Sequence, residues 1–274
     1  SYYFRGGFSN SYASPAVAGG IVYVCAFSTL YALDATTGSL KWEYDAGGSY
    51  ITSPAVLNGI VYFSTASSKM FALDATNGSL KWTYLASGLI QYPPAIANGV
   101  IYFGDTNKKI YALYADTGAA KWIYTLPTSF SMDYGPAVSN GVIYFSAYLY
   151  LYAVDANTGT LKWSKAGYYH TPAISSGVIY IPYHGPSGFK ALNANTGANK
   201  WNLSDAFSAA AVSNGLVFTL RSDGKIYALD ANTGTTKWSY AIGASVNDVQ
   251  SLTIYNGKVY VVGEGSSRLY CFGQ

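Results

Sequence analysis

The stretch YALDATTGSLKW, residues 31–42, decides the fold because it recurs five more times. FALDATNGSLKW runs from Phe71, YALYADTGAAKW from Tyr111, YAVDANTGTLKW from Tyr152, KALNANTGANKW from Lys190 and YALDANTGTTKW from Tyr227. The repeats end on Trp42, Trp82, Trp122, Trp163, Trp201 and Trp238, which are all 6 tryptophans of the chain. Four residues before each stands a glycine: Gly38, Gly78, Gly118, Gly159, Gly197 and Gly234. A second signature lies upstream of each motif. SPAVAGGIVYV starts at Ser14, SPAVLNGIVYF at Ser53, PPAIANGVIYF at Pro93 and GPAVSNGVIYF at Gly135. TPAISSGVIYI starts at Thr171, AAAVSNGLVFT at Ala209 and SLTIYNGKVYV at Ser251, which makes seven copies.

Working outward, the Asn-Gly pairs at Asn58, Asn98, Asn140, Asn214 and Asn256 read as two-residue hairpin turns, since both residues tolerate positive φ. VYF-type runs follow as strands, and the motif supplies a third strand, a turn and a fourth strand. Four short antiparallel strands in about 40 residues are the signature of a propeller blade. The expected fold is therefore all-β: a seven-bladed β-propeller over residues 1–274, as a single domain. The seventh repeat stops at RLYCFGQ, after its third strand. The opening SYYFRGG aligns with WEYDAGG, placing Gly6 and Gly7 on Gly47 and Gly48 and Tyr3 on Tyr44. Residues 1–7 are thus expected to complete the last blade and close the ring, which removes an exposed sheet edge. That seam has no Trp.

Composition agrees and excludes other classes. Charged residues are 11% and the net charge is +3, too little and too dispersed for nucleic-acid binding. Tyr 28 and Gly 29, with only 2 Met and 2 His, point to strands rather than helices. No apolar run approaches the ~18 residues of a membrane span.

The motif A-x-D-x-x-T-G-x-x-x-W resembles the tryptophan-docking repeat of pyrroloquinoline-quinone-type β-propellers. Ala32, Asp34, Thr37, Gly38 and Trp42 match it fully, as do the repeats ending at Trp163 and Trp238; Asn77, Tyr114 and Asn193 are departures in the others. The resemblance implies that each Trp stacks on the glycine turn of a neighbouring blade. It does not imply quinone chemistry. The quinoprotein dehydrogenases are larger, eight-bladed, and carry a Glu-Asn-Asp calcium site and often a Cys-Cys pair. This chain has no Cys-Cys, and its only Glu are Glu43 and Glu264. A second relative is the non-enzymatic propeller lipoprotein of the outer-membrane barrel-assembly machinery. The expectation is a non-enzyme without cofactor or metal, because docking motifs report blade packing and not chemistry.

A search for chemistry supports this. Asp34, Asp74, Asp155 and Asp230 lie in motif turns and read as turn-forming acceptors. His170 and His184, without a third ligand, make no metal site. No nucleophile elbow or Walker loop occurs. The lysines before each Trp (Lys41, Lys81, Lys121, Lys162, Lys200, Lys237) alternate away from it and should form a solvated set. Cys25 and Cys271 read as two buried free thiols, with a ring-locking disulfide as the alternative. Asn77-Gly-Ser and Asn202-Leu-Ser fit the glycosylation acceptor pattern.

Binding is expected where loops vary, on the face carrying the second-to-third-strand loops and the blade crossovers. Before the SPAV-like segments stand Ala13, Thr52, Tyr92, Tyr134, His170, Ser208 and Gln250, expected to ring a channel mouth. Tyr92, Tyr134 and His170, with Gln91, Asp133 and Tyr169 adjoining, form the candidate patch, with Tyr183, His184, Arg221 and Glu264 in outer loops. Such a patch suits a protein or glycan partner. The leading expectation is an extracellular, cell-surface or periplasmic binding or scaffold protein, monomeric or in a surface assembly. The alternative is a structural subunit of a surface layer or fibre built by strand addition.

Overall fold

The computed structural model describes residues 13–47, 50–127, 131–184, 188–205, 207–221, 223–242, 252–255, 258–263 and 268–273. The expected closing strand over residues 1–7 lies outside them, as do Gln250 and Glu264. All regular structure among the described residues is β, in seven antiparallel sheets. The first is built in chain order from Ala16–Ala18, Ile21–Ala26, Thr29–Asp34 and Leu40–Asp45. The second, third, fourth and sixth repeat this pattern. The fifth gains an extra two-residue strand, Tyr168–Tyr169, paired with Tyr183 and His184. The seventh shows three strands, Leu252–Tyr255, Lys258–Gly263 and Arg268–Gly273.

The hairpin turns form as their sequences dictate. Asn58, Asn98, Asn140 and Asn214 have φ of 48–49°, followed by positive-φ glycines. Ser176-Gly177 and Gly19-Gly20 fill the same turn in the fifth and first repeats, and Asn256 lies outside the described residues. The turns at Gly20, Gly59, Gly99, Gly177 and Gly215 are each tied to a motif turn by a backbone bond, as in Ala75 N–H to Gly59 O at 2.9 Å. That bond places both uniform turn types on one side of the sheet.

The central strands of the second sheet are buried along their length, with no alternation, because neighbouring sheets cover both faces. In the second sheet, Val61, Phe63, Phe71 and Leu73 pack with Tyr23, Leu30 and Trp42 of the first. Tyr62, Met70 and Ala72 of the same strands pack with Ile101, Phe103 and Tyr111 of the third. The fourth strand faces solvent on one side and alternates.

The chain falls into two compact units, Ser1–Val138 with Ala156–Thr160, and Ser139–Asp155 with Leu161–Gln274. The first contains sheets one to three. The second contains sheets five to seven, whose facing surfaces build two successive cores.

Candidate functional site

The repeat motif builds a docking device. In every third-to-fourth-strand pair, the first motif alanine lies opposite its own tryptophan, as Ala32 does opposite Trp42. The register slips immediately after this pair in all six cases. Such a bulge increases local twist and re-aims the side chain. The indole then reaches the next repeat. Trp42 lies against Gly78, Trp82 against Gly118, Trp122 against Gly159, Trp163 against Gly197 and Trp201 against Gly234. A Cβ built on any of these glycines would stand 2.7–2.9 Å from the ring.

Each indole N–H donates to the carbonyl of the second motif alanine of that next repeat. Trp42 donates to Ala75 O at 3.1 Å and Trp82 to Ala115 O at 3.0 Å. Trp122, Trp163 and Trp201 donate to Ala156, Ala194 and Ala231. The same carbonyls accept a tyrosine hydroxyl from the second strand: Tyr23 to Ala75, Tyr62 to Ala115, Tyr102 to Ala156, Tyr144 to Ala194 and Tyr180 to Ala231. Both lone pairs of each carbonyl are used, so no buried acceptor is left open. The tyrosine half of this device was not foreseen. Its signal was the invariant aromatic in the VYF runs. Ala35 and Gly38 stand apart: Ala35 is exposed, and a Cβ on Gly38 would meet nothing within 4 Å.

The motif acids form the turns. Asp34 Oδ1 accepts from the Thr36 and Thr37 N–H groups at 3.0 and 2.9 Å. Those bonds, the Thr37 N–H first, together with Lys41 hold its carboxyl at about 2. The lysines before Trp are not merely solvated, contrary to the expectation above. Lys41, Lys81, Lys162 and Lys237 reach Asp34, Asp74, Asp155 and Asp230 at 3.2–3.7 Å. Where Tyr114 replaces the motif Asp, Lys121 instead donates to Asn157 at 2.7 Å. These half-exposed pairs stabilise weakly.

The expected binding residues separate into distinct groups. Tyr92 and Tyr134 come together in the first unit, with ring centroids 6.2 Å apart at 39°. Both are half-buried, with Gln91 exposed and Asp133 half-buried beside them. Close approach of the two crossovers depends on Gly135, where a Cβ would stand 3.2 Å from the Pro93 carbonyl. His170 lies in the second unit, where its backbone donates to Pro182 O at 3.1 Å and accepts from Ser146 Oγ at 3.1 Å.

Two expectations, on Tyr169 and Cys271, need correction, and Arg221 has partners that the sequence did not show. Tyr169 is a core residue and does not face a ligand: it is 0% exposed and its hydroxyl donates to Ala166 O. Arg221, half-exposed, pairs with Asp205 at 2.8 Å and donates to the Tyr227 hydroxyl at 3.3 Å. Cys271 is exposed, so only Cys25 is a buried thiol; both are free. Burial pushes the Cys25 thiol up to about 12. Tyr183 is half-buried beneath the Lys190 ammonium, which lies 3.8 Å from its ring centroid. The side chain of His184 is outside the described set.

A third loop cluster went unnoticed in the sequence. Asp105 is 3% exposed and accepts from Ser87 Oγ at 2.7 Å and the Tyr111 hydroxyl at 2.8 Å. It also accepts the N–H groups of Asn107 and Lys109, both at 3.0 Å. This carboxylate is consumed in shaping its loop. Among the described residues, no three His, Cys, Asp or Glu side chains are grouped to hold a metal ion.

Comparison with known proteins follows from this geometry. Among solved structures, BamB from Moraxella catarrhalis is similar with a TM-score of 0.75 at 20% identity, covering 89% of this chain and 79% of that one. The computationally designed Ika8 protein is similar at 0.62 and 15% identity, covering 95% of both chains. Quinohemoprotein alcohol dehydrogenase ADHIIG from Pseudomonas putida HK5 is similar at 0.69 and 17% identity; 90% of this chain spans 61% of that enzyme. At these identities the likeness shows the fold, a β-propeller. No curated protein sequence is matched. A family model described as outer membrane protein assembly factor BamB matches residues 6–203 and again 189–272. With its docking repeats and a match across most of its length, the chain belongs to the BamB family of PQQ-type β-propeller repeats.

Proposed function

We propose that this protein is a non-catalytic binding or scaffold propeller acting outside the cytoplasm, with a protein or glycan partner engaged on its variable-loop side. One observation carries the reading. Most aromatic rings sit at repeat positions that dock sheet to sheet, whereas Tyr92 and Tyr134 sit in crossovers and meet each other at 6.2 Å. Tyrosine on a rigid scaffold offers large contact area with a polar tip at low entropic cost. The family description, outer membrane protein assembly factor, supports a protein partner in envelope assembly.

The residues present do not fit a quinone with its metal. Cys25 and Cys271 are single, free thiols, no ligand group is assembled among the described residues, and Glu43 is an exposed strand residue. No step is therefore assigned to such a group.

The test compares wild type with Tyr92→Ala/Tyr134→Ala in cross-linking to a cell-envelope fraction and on a glycan array. Neither ring is at a docking position, so far-UV circular dichroism should be unchanged. Capture of a defined partner that falls at least ten-fold in the variant supports the reading. Undiminished capture by the variant refutes it.

A further inference from the structure

The junction between the fourth and fifth sheets departs from a pattern seen in the first unit. Two residues after the docking Trp, the chain has Tyr44, Tyr84, Tyr124, Lys165, Leu203 and Tyr240. At the head of the motif it has Tyr31, Phe71, Tyr111, Tyr152, Lys190 and Tyr227. In the first unit these two positions face each other between successive sheets. Tyr44 meets Phe71 edge-on at 6.0 Å, and Tyr84 meets Tyr111 at 5.7 Å. In the second unit the corresponding pair is Lys165 and Lys190.

Lys165 and Lys190 thus stand at the two repeat positions that carry rings in the first unit. Burial, and then the charge of Lys165, push the Lys190 ammonium below its ordinary range. Neither lysine makes an ion pair among the described residues, whereas the four lysines paired with motif Asp do. The surroundings are tightly constructed. Lys190 Nζ lies 3.8 Å from the Tyr183 centroid and 5.9 Å from that of Tyr169. The extra strand, found only in this sheet among the described residues, sets Tyr169 opposite Tyr183 of the second strand. Gly167, at φ +141°, permits that approach: a Cβ would stand 2.5 Å from Tyr183 Cε2 and 2.8 Å from Tyr169 Cε2.

Like charges held together, without a carboxylate, beside aromatic walls of low polarity, attract an anion that can accept from both. We propose that Lys165 and Lys190 form a binding site for an oxyanion: the carboxylate, sulfate or phosphate group of a small ligand or an acidic glycan. Lys165 and Lys190 donate from two facing sheets, and the Tyr169 and Tyr183 rings fix Lys190 by cation–π contact. The site rests on residues separate from Tyr92 and Tyr134, so each proposal can fail alone.

The experiment measures thermal unfolding and phosphate 31P line broadening in inorganic phosphate, sulfate and acetate against chloride, at matched ionic strength. An oligogalacturonide arm against its neutral counterpart distinguishes an acidic glycan from a free anion. In wild type, at least one oxyanion should raise the melting temperature in a saturable way. Lys165→Tyr/Lys190→Tyr installs the ring pair of the first unit; it should fold and lose at least ten-fold in anion affinity. Lys165→Gln/Lys190→Gln provides the same readout if the tyrosine variant misfolds. Lys162→Gln, which removes a lysine paired with Asp155, should bind as wild type does. Equal anion responses in wild type and in either double variant, or no response in wild type, overturn the proposal.

Discussion

The docking glycines allow a prediction with its control inside the same chain. Gly118 and Gly38 occupy the same motif position with φ of +71° and +73°. At Gly118 a Cβ would lie 2.7 Å from Trp82 Cδ2 and Cε3, while at Gly38 it would meet nothing within 4 Å. Alanine at either site bears the left-handed backbone cost of about 1–2 kcal/mol. Gly118→Ala must in addition displace the indole. Overpacking of this kind costs roughly 1–3 kcal/mol. Weakening the Trp82 N–H bond to Ala115 O, 3.0 Å long, removes a further ~0.5–1.5 kcal/mol. Gly38→Ala should therefore cost about 1–2 kcal/mol and Gly118→Ala about 3–5 kcal/mol. Trp82→Ala alone should cost about 3–5 kcal/mol. In that background Gly118→Ala should fall back to the backbone cost, because the ring it struck is gone. Urea unfolding followed by far-UV circular dichroism gives all four corners of the cycle without depending on indole fluorescence. Equal costs at Gly38 and Gly118, or additive behaviour of Trp82→Ala with Gly118→Ala, would refute the docking account.

Further outcomes follow from single sites. Tyr111→Phe removes a 2.8 Å bond to the buried Asp105 carboxylate and should cost about 1.5–3 kcal/mol, read by the same unfolding assay. Asp34 is held at about 2, chiefly by the Thr37 and Thr36 N–H groups, and Asp74 and Asp230 are also lowered, by Thr76 N–H and by Lys237 respectively. Depressed carboxyls stabilise the fold while ionised. That contribution is complete above the ordinary aspartate value of about 4 and is lost as pH falls towards about 2. Melting temperature should drop through this window, less steeply in Asp34→Asn. Native protein at pH 8 should take up one equivalent of iodoacetamide by mass spectrometry, at exposed Cys271, and a second only after unfolding frees Cys25. Rapid native labelling of Cys25 would contradict its burial.

The strand pattern was legible because each local signal agreed with the next: Asn-Gly turns, VYF runs and a Trp every forty residues. What lay hidden was whatever depends on a partner far along the chain. The Ala75 carbonyl serves Trp42 and Tyr23, 33 and 52 residues away. No local pattern states that the second motif alanine is an acceptor. The same distance problem misplaced Tyr169. It sits beside His170 in the sequence, but pairing of its short strand with Tyr183 turns it into the core. The Arg221–Asp205 pair was not visible because Asp205 lies 16 residues upstream and across a hairpin.

This changes what the abundance of tyrosine means. Counted in the sequence, 28 tyrosines suggest a sticky surface. Placed in the structure, five donate to shared alanine carbonyls and others line the facing third and fourth strands. Their hydroxyls are spent inside, and burial raises the pKa of Tyr23, Tyr62, Tyr144 and Tyr180 accordingly. Residue type alone therefore says little about binding in this fold; departure from the repeat says more. Tyr92 and Tyr134 depart by being aromatic where Thr52 and Ala13 stand in other repeats, and Lys165 and Lys190 depart by being charged where rings stand. A repeat scaffold supplies its own reference at every position. A residue that departs from the reference is therefore where a role beyond sheet-to-sheet packing is tested first.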